Sequence, residues 1–478
     1  MSISAESHPG LWSPRFRTLT LGLVLTVTLV AFEALAVAAI MPIVSRELGG
    51  VHLYGWVFSA FFLGSLLGIV VVGGMIDRGG LVRPFLAGLG LFCVGLVVGG
   101  LAPSMEVLVG GRFLQGLGAG AIPPIAYVAI GRALPEELRA RMFATLSTAW
   151  VIPGVIGPAL SGYVAEAIHW RVVFLGLLPL IAIAAAMTAP AMAASVPRDL
   201  PPDVERLAAD TRRRLPWAVL VTAGAGLIVA GLTTAALVPG GPLFVAGVAL
   251  AIPAFRHLTP PGTLTAERGL PAAVLLRGVL TFAFFCADAY VPLALVEWRG
   301  LGAGVAGLAL TSATLAWTAG AWVQARRYTS IGPRRFVTAG FLTLAIGILG
   351  FMAVLSPGVP LIVGVATWGI AGFGMGVSYS PLSLTVLAHA QPGGEGAATS
   401  GLQLSDVLGT ALGTGIGGAI IAGAAAARLE GWVGLGASFA VGIVAALGGA
   451  IVARRLPGPR RRTASRAAVD FTGSQSTD

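Results

Sequence analysis

Long apolar runs separated by short polar turns repeat from near the N-terminus to about residue 453. A helix needs ~20 apolar residues to cross ~30 Å of hydrocarbon. On that rule the pattern predicts fourteen transmembrane helices, at about 18–42, 54–76, 84–102, 105–130, 142–165, 171–192, 216–238, 240–255, 271–296, 303–325, 335–356, 359–390, 397–427 and 430–453. The eighth is the shortest; it starts at the turn signal Pro239-Gly240-Gly241-Pro242 and stops before Arg256. The longest polar interruption before the tail, Ser195–Arg214, reads as a linker. Within it Asp203–Arg214 suits a short surface helix, with acids leading and arginines trailing as the helix dipole favours. The tail after Leu456 is polar and is expected to be disordered.

Composition removes the soluble alternative. Of 478 residues 56% are hydrophobic and only 10% charged, against about a quarter charged in soluble domains. The net charge of +10 does not mark a nucleic-acid binder, because the basic residues sit in short loops without interleaved aromatics. All of them are Arg, and Asn is absent as well, a coding bias that hints at a bacterium. Cys93 and Cys286 lie inside apolar runs, without disulfide or metal-ligand spacing. With both termini cytoplasmic, Arg46, Arg171, Arg299 and Arg428 fall outside, Arg112 and Arg277 fall within spans, and every other arginine lies on the cytoplasmic side, as the positive-inside rule requires. Fusing the seventh and eighth segments would invert the second half and break that rule. The order is therefore an N-terminal six-helix half (1–195), a cytoplasmic linker (196–215), a two-helix insert (216–256), a C-terminal six-helix half (257–455) and a cytoplasmic tail (456–478).

Four local patterns carry a resemblance. The first is Phe32-Glu33-Ala34-Leu35-Ala36-Val37-Ala38-Ala39-Ile40-Met41-Pro42, in helix 1. Between helices 2 and 3 lies Gly73-Gly74-Met75-Ile76-Asp77-Arg78-Gly79-Gly80-Leu81-Val82-Arg83. Helix 4 carries Leu108-Val109-Gly110-Gly111-Arg112-Phe113-Leu114-Gln115-Gly116-Leu117-Gly118-Ala119-Gly120, and helix 5 carries Pro153-Gly154-Val155-Ile156-Gly157-Pro158-Ala159-Leu160-Ser161-Gly162. Together they resemble the major facilitator superfamily, and within it the fourteen-helix drug:proton antiporter group. A softer echo of that group's helix 13 entry runs from Gly393 to Gln403 and on to Gly413. The departures are Glu33 in place of Asp, apolar residues where the group has Thr and Asn, Leu81 in place of a basic residue, and Ser161 in place of Gly.

The resemblance implies an all-α polytopic membrane protein with the major facilitator fold, two six-helix halves plus the insert. It also implies a conformational latch at Gly73, Asp77, Arg78, Gly80 and Arg83, in which Asp77 faces the cytoplasmic N-terminus of helix 13 when the outside is open. Gly154, Gly157, Pro158 and Gly162 would form the antiporter motif, where small residues allow close helix packing and Pro bends the helix.

Ionisable groups inside the membrane are functional candidates by default. Glu33, Arg112, Arg277, Asp288 and Asp406 qualify. At ~1.5 Å per residue, Glu33 and Arg112 reach similar depths. A carboxylate held between burial and an opposing charge can change protonation state as access alternates, which is what proton coupling needs. Glu33 is therefore the expected proton carrier and Arg112 its modulator. Asp406 and Asp288, each without a partner in local sequence, are expected cavity acids, joined by Trp150 and Phe373 as aromatic cavity walls. Arg277 lies nearer the cytoplasmic end and is expected to snorkel.

No phosphate-cradling GxxxxGK[ST] or catalytic constellation occurs, so no enzyme and no cofactor is expected, only protons as coupling ion. The expected function is efflux of amphipathic or cationic small molecules from a bacterial cytoplasmic membrane, by a monomer in the lipid bilayer with no nucleic-acid partner. The alternatives are export of a specific native lipid or metabolite by the same machinery, and a non-transporting membrane sensor or scaffold.

Overall fold

The computed structural model describes residues 10–79, 81–135, 138, 142, 145, 146, 148–195, 204–234, 237–390 and 395–458. Among them there is no strand, and twelve helices are long and apolar enough to cross a membrane. The N-terminal half comprises α1 (Arg17–Leu48), α2 (Tyr54–Gly79), α3 (Val82–Gly100), α4 (Met105–Ala119), α5 (Ile122–Ala133), α6 (Val151–Ala167), α7 (Trp170–Leu175) and α8 (Leu177–Ser195). The insert is α9 (Val204–Thr233) with α10 (Leu237–Leu258). The C-terminal half holds α11 (Leu270–Asp288), α12 (Ala303–Ile331), α13 (Pro333–Met352), α14 (Leu361–His389), α15 (Glu395–Ala426) and α16 (Gly431–Val452).

The fifth and tenth predicted spans are present as α6, which is 17 residues long, and the 29-residue α12. The fourth span is two helices, not one. It breaks after Ala119, where Gly120 and Ala121 form a turn and Pro123 and Pro124 of α5 bring no N–H to continue the ladder. The sixth span likewise breaks at Gly176.

Pro239–Pro242 is helical rather than a turn. Helix α10 starts at Leu237, which puts Pro239 in the first turn, where the backbone N–H has no partner anyway. From Val204 on, the surface helix expected at Asp203–Arg214 is the beginning of α9, which runs without a break through Pro216 into the following apolar stretch. The linker positions 196–203 and the tail beyond 458 lie outside the described residues.

The two halves repeat one packing scheme. α1 packs on α6 and α8 as α11 packs on α15 and α16; α2 and α3 pack on α4 as α12 and α13 pack on α14. The halves meet along α6 against α12 and along α2 against α15. Small residues make both contacts possible. A Cβ on Gly162 would stand 2.8 Å from the Gly304 nitrogen, and one on Gly55 would stand 2.8 Å from the Gly418 Cα.

The insert closes on itself through glycines. Gly224 faces Gly247 and Ala251, and Gly231 faces Gly240 and Phe244, as an antiparallel pair demands. Its α9 then lies across the seam between α2 and α15, sharing a core of Leu63, Leu66, Ala218, Val221, Ala225, Leu404 and Leu408.

Candidate transport site

Glu33 stands in the middle of α1 and Arg112 in α4; both are buried, 1% and 2% exposed. Their side chains form an ion pair, with Arg112 Nη1 donating to Glu33 Oε1. Gln115, one helical turn beyond Arg112, donates to the same Oε1 at 3.2 Å and accepts from Arg112 at 3.0 Å. Arg112 Nε donates to the Val57 carbonyl at 3.1 Å, and its guanidinium lies 4.3 Å from the centre of the Phe61 ring. Glu33 Oε2 is buried and has no hydrogen-bond partner among the described residues. The similar depths of Glu33 and Arg112 were legible from helix rise. Gln115 and Phe61 were not singled out, although the i, i+3 spacing of Arg112 and Gln115 puts them on one face.

A second ion pair lies in the C-terminal half. Arg277 is 3% exposed and points inward, which corrects the snorkelling expectation. Its Nε lies 3.6 Å from Asp406 Oδ1, Nη1 donates to the Tyr379 carbonyl at 2.7 Å, and Nη2 donates to Ser383 Oγ at 2.8 Å. The Tyr379 ring lies 3.2 Å under the guanidinium while its hydroxyl donates to Asp406 Oδ2 at 2.7 Å. Snorkelling fails because α14 supplies these acceptors nearer than the membrane surface. Asp406 thus has a partner 129 positions away in sequence, which local reading cannot find.

Asp288 accepts the Trp368 indole N–H at 3.2 Å. From Trp368 a series of ring contacts runs through Phe284, Trp317 and Tyr379, with centroids 5.4, 5.8 and 5.4 Å apart, and ends at Asp406. Phe285 meets Phe62 of the other half at 6.0 Å. Phe373 is half-buried on α14 where that helix crosses Gly320 of α12. Trp150 caps α6 with 47% of its surface exposed, and the structure does not bring it to either ion pair.

The antiporter motif lines the seam with the other half: Gly154 meets Thr314, Pro158 meets Gly307 and Gly162 meets Gly304, while Gly157 faces Phe32. The latch is described only in part. Gly73, Asp77 and Arg78 belong to α2, but their side chains are outside the described ones; Gly80 is outside altogether, and Arg83 is exposed at the start of α3.

Among the described residues, side-chain contacts join the halves at the end of the bundle opposite the chain termini and further in along α2 and α15. Arg46 donates to Glu297 at 2.6 Å, Ser59 donates to the Ala411 carbonyl at 2.8 Å, and Glu166 accepts from the Ala303 N–H at the start of α12. That last contact sets a carboxylate on a helix N-terminus, where the dipole favours it.

The Major Facilitator Superfamily model matches residues 23–413. The chain belongs to this superfamily of membrane transporters. It is 27% identical over 451 residues to a probable multidrug-efflux transporter of Mycobacterium tuberculosis, covering 90% of this chain and 94% of that one. It is 27% identical over 424 residues to the methylenomycin A resistance protein of Streptomyces coelicolor, covering 87% and 86%. Among solved structures, a bacterial homologue of the human lysosomal transporter Spinster, inward-facing and unoccupied, aligns with a TM-score of 0.65 at 15% identity, over 92% of this chain and 98% of that one. That likeness shows the fold alone. The chain is thus a multi-pass membrane protein built as a facilitator.

Proposed function

We propose that the protein exports amphipathic, often cationic, small molecules in exchange for protons, by alternating access across a bacterial cytoplasmic membrane with both termini cytoplasmic. The observation that carries this reading is Glu33, a buried carboxylate with one oxygen held by Arg112 and Gln115 and the other without a partner among the described residues. One oxygen fixes the side chain; the other is free to take a proton.

The environment of Arg112 suits a pair that opens and closes. Breaking a buried ion pair costs about 3–5 kcal/mol. When Glu33 is protonated, Arg112 keeps the Val57 carbonyl, the Gln115 amide oxygen and the Phe61 ring. A hydrogen bond from a charged donor contributes about 1.5–3 kcal/mol, and a desolvated cation–π contact about 2 kcal/mol. These contacts are made in both protonation states, so Arg112 is not left without acceptors when Glu33 takes up its proton.

With the termini cytoplasmic, the closed end of the bundle is the outer one and this conformer faces inward. Substrate then enters from the cytoplasm toward Asp406, Tyr379, Trp317 and Asp288, whose rings and acids suit an apolar body with a positive group. Binding of substrate and protons in turn biases the two conformations. In the outward-facing state Asp77 would latch against the N-terminus of α15. The efflux and resistance roles named for the two relatives support export over import.

Proteoliposomes holding the purified chain test this reading. An imposed pH gradient drives accumulation of a lipophilic cation, and a protonophore abolishes it. Accumulation indifferent to the protonophore contradicts proton exchange. A panel that finds only one native lipid or metabolite carried would move the reading to a dedicated exporter.

A further inference from the structure

Helix α11 breaks inside the membrane. It ends at Asp288, Ala289 and Tyr290 form a turn, Val291–Leu293 resumes the helix and Ala294–Trp298 closes as a π turn, all within the single apolar stretch Leu270–Trp298. Pro292 has no N–H to return to the Asp288 carbonyl. The break therefore gathers a carboxylate and a backbone carbonyl lacking its helical donor at one point. Non-helical backbone at membrane depth is tolerated where it is buried in protein or lines a cavity. In transporters, discontinuous helices hold coupling ions and charged substrate groups, and π turns gather at functional sites.

Charge balance singles out the same residue. Glu33 pairs with Arg112, and Asp406 with Arg277. None of the ion pairs among the described residues includes Asp288; it receives only the Trp368 N–H from α14. Its titratable neighbours in sequence are engaged elsewhere. Cys286 faces the Ser438 carbonyl of α16 at 3.5 Å, and Tyr290 donates to the Thr414 carbonyl of α15. A lone carboxylate in such surroundings either neutralises or acquires a cation.

The repeated packing supplies a third reason. Glu33 sits on the first helix of its half with its partner on the fourth, about 24 Å from the start of α1 at ~1.5 Å per residue. Asp288 sits on the first helix of the other half with Trp368 on the fourth, about 27 Å from the start of α11 on the same scale. The two sites are counterparts, except that Trp stands where the other half has Arg.

We propose that Asp288 is a second exchange site, which holds a proton in the absence of substrate and gives it up to cavity water when the positively charged group of the substrate takes its place. As the cation docks on the carboxylate, the acid O–H gives its proton to cavity water. After the cation leaves on the far side, the carboxylate regains one proton there. No bond to the substrate forms. With Glu33 as the first site, export of a monovalent cation takes up two protons.

The inference rests on the proton-coupled export proposed above, and one experiment separates the two. Proteoliposomes with the full chain are loaded with tetraphenylphosphonium, and the proton:cation ratio is read from reversal potentials. The expected ratio is two for wild type, one for D288N and two for D288E, which keeps the carboxylate. An unchanged ratio in D288N overturns the inference alone. A wild-type protein that moves neither tetraphenylphosphonium nor protons overturns the underlying reading. Should D288N fail to fold, W368F strips the donor but keeps the acid: the ratio stays at two while the pH midpoint of transport moves, and an unmoved midpoint counts against Asp288.

Discussion

Glu33 and Arg112 show why a buried pair is a poor guide to stability but a good guide to function. Removing one partner leaves the other charged and buried, at about 3–5 kcal/mol. Arg112→Met should therefore lower thermal stability in detergent by that order, because Glu33 keeps only Gln115 as a donor. The double change Glu33→Leu with Arg112→Met should recover most of that stability, since both charges leave together, yet it should lose the proton that Glu33 exchanges. Thermal unfolding of purified single and double variants measures the first effect and proteoliposome flux the second; a double variant as unstable as Arg112→Met would contradict the pairing argument. The acids and arginines themselves were legible in the sequence, because charge within an apolar run stands out. Their partners were not. Arg277 and Asp406 meet only because α11 packs on α15, and Trp368 reaches Asp288 only because α14 packs on α11.

At the scale of elements, the seams between helices are set by residues that lack side chains. On α6, Gly162 brings the backbone against Gly304 of α12. Gly162→Val should wedge the closed end open and shift the population toward the opposite conformer. Cysteine labelling from that end, at positions facing the cavity, should then be faster than in the parent protein. Equal labelling rates would remove this seam from the closing mechanism. The order of the apolar segments could be read from hydropathy, which registers burial in lipid. Their breaks could not, because Gly120, Gly176 and the turn at Ala289–Tyr290 interrupt stretches whose hydropathy stays high. The turn expected at Pro239–Pro242 failed for a related reason: Pro239 falls in the first turn, where Pro is tolerated, and the helix carries Pro242 inside it without ending there.

For the molecule as a whole, the repeat of packing between the halves places Glu33 and Asp288 in corresponding positions, and the insert lies across the seam of α2 with α15. Which conformer faces inward follows from the orientation of the termini. A single cysteine at Gly241, exposed and with nothing near a Cβ there, should react with a membrane-impermeant reagent added to intact cells. Reaction only after permeabilisation would reverse the topology. The most direct test of the central claim is a well-folded Glu33→Gln protein in proteoliposomes, assayed both for accumulation driven by a pH gradient and for substrate exchange without one. A side chain that mimics permanent protonation should cut gradient-driven accumulation to what Asp288 alone couples while leaving exchange in place, because substrate still binds and the halves still alternate. Undiminished accumulation by that variant would contradict Glu33 as the proton carrier.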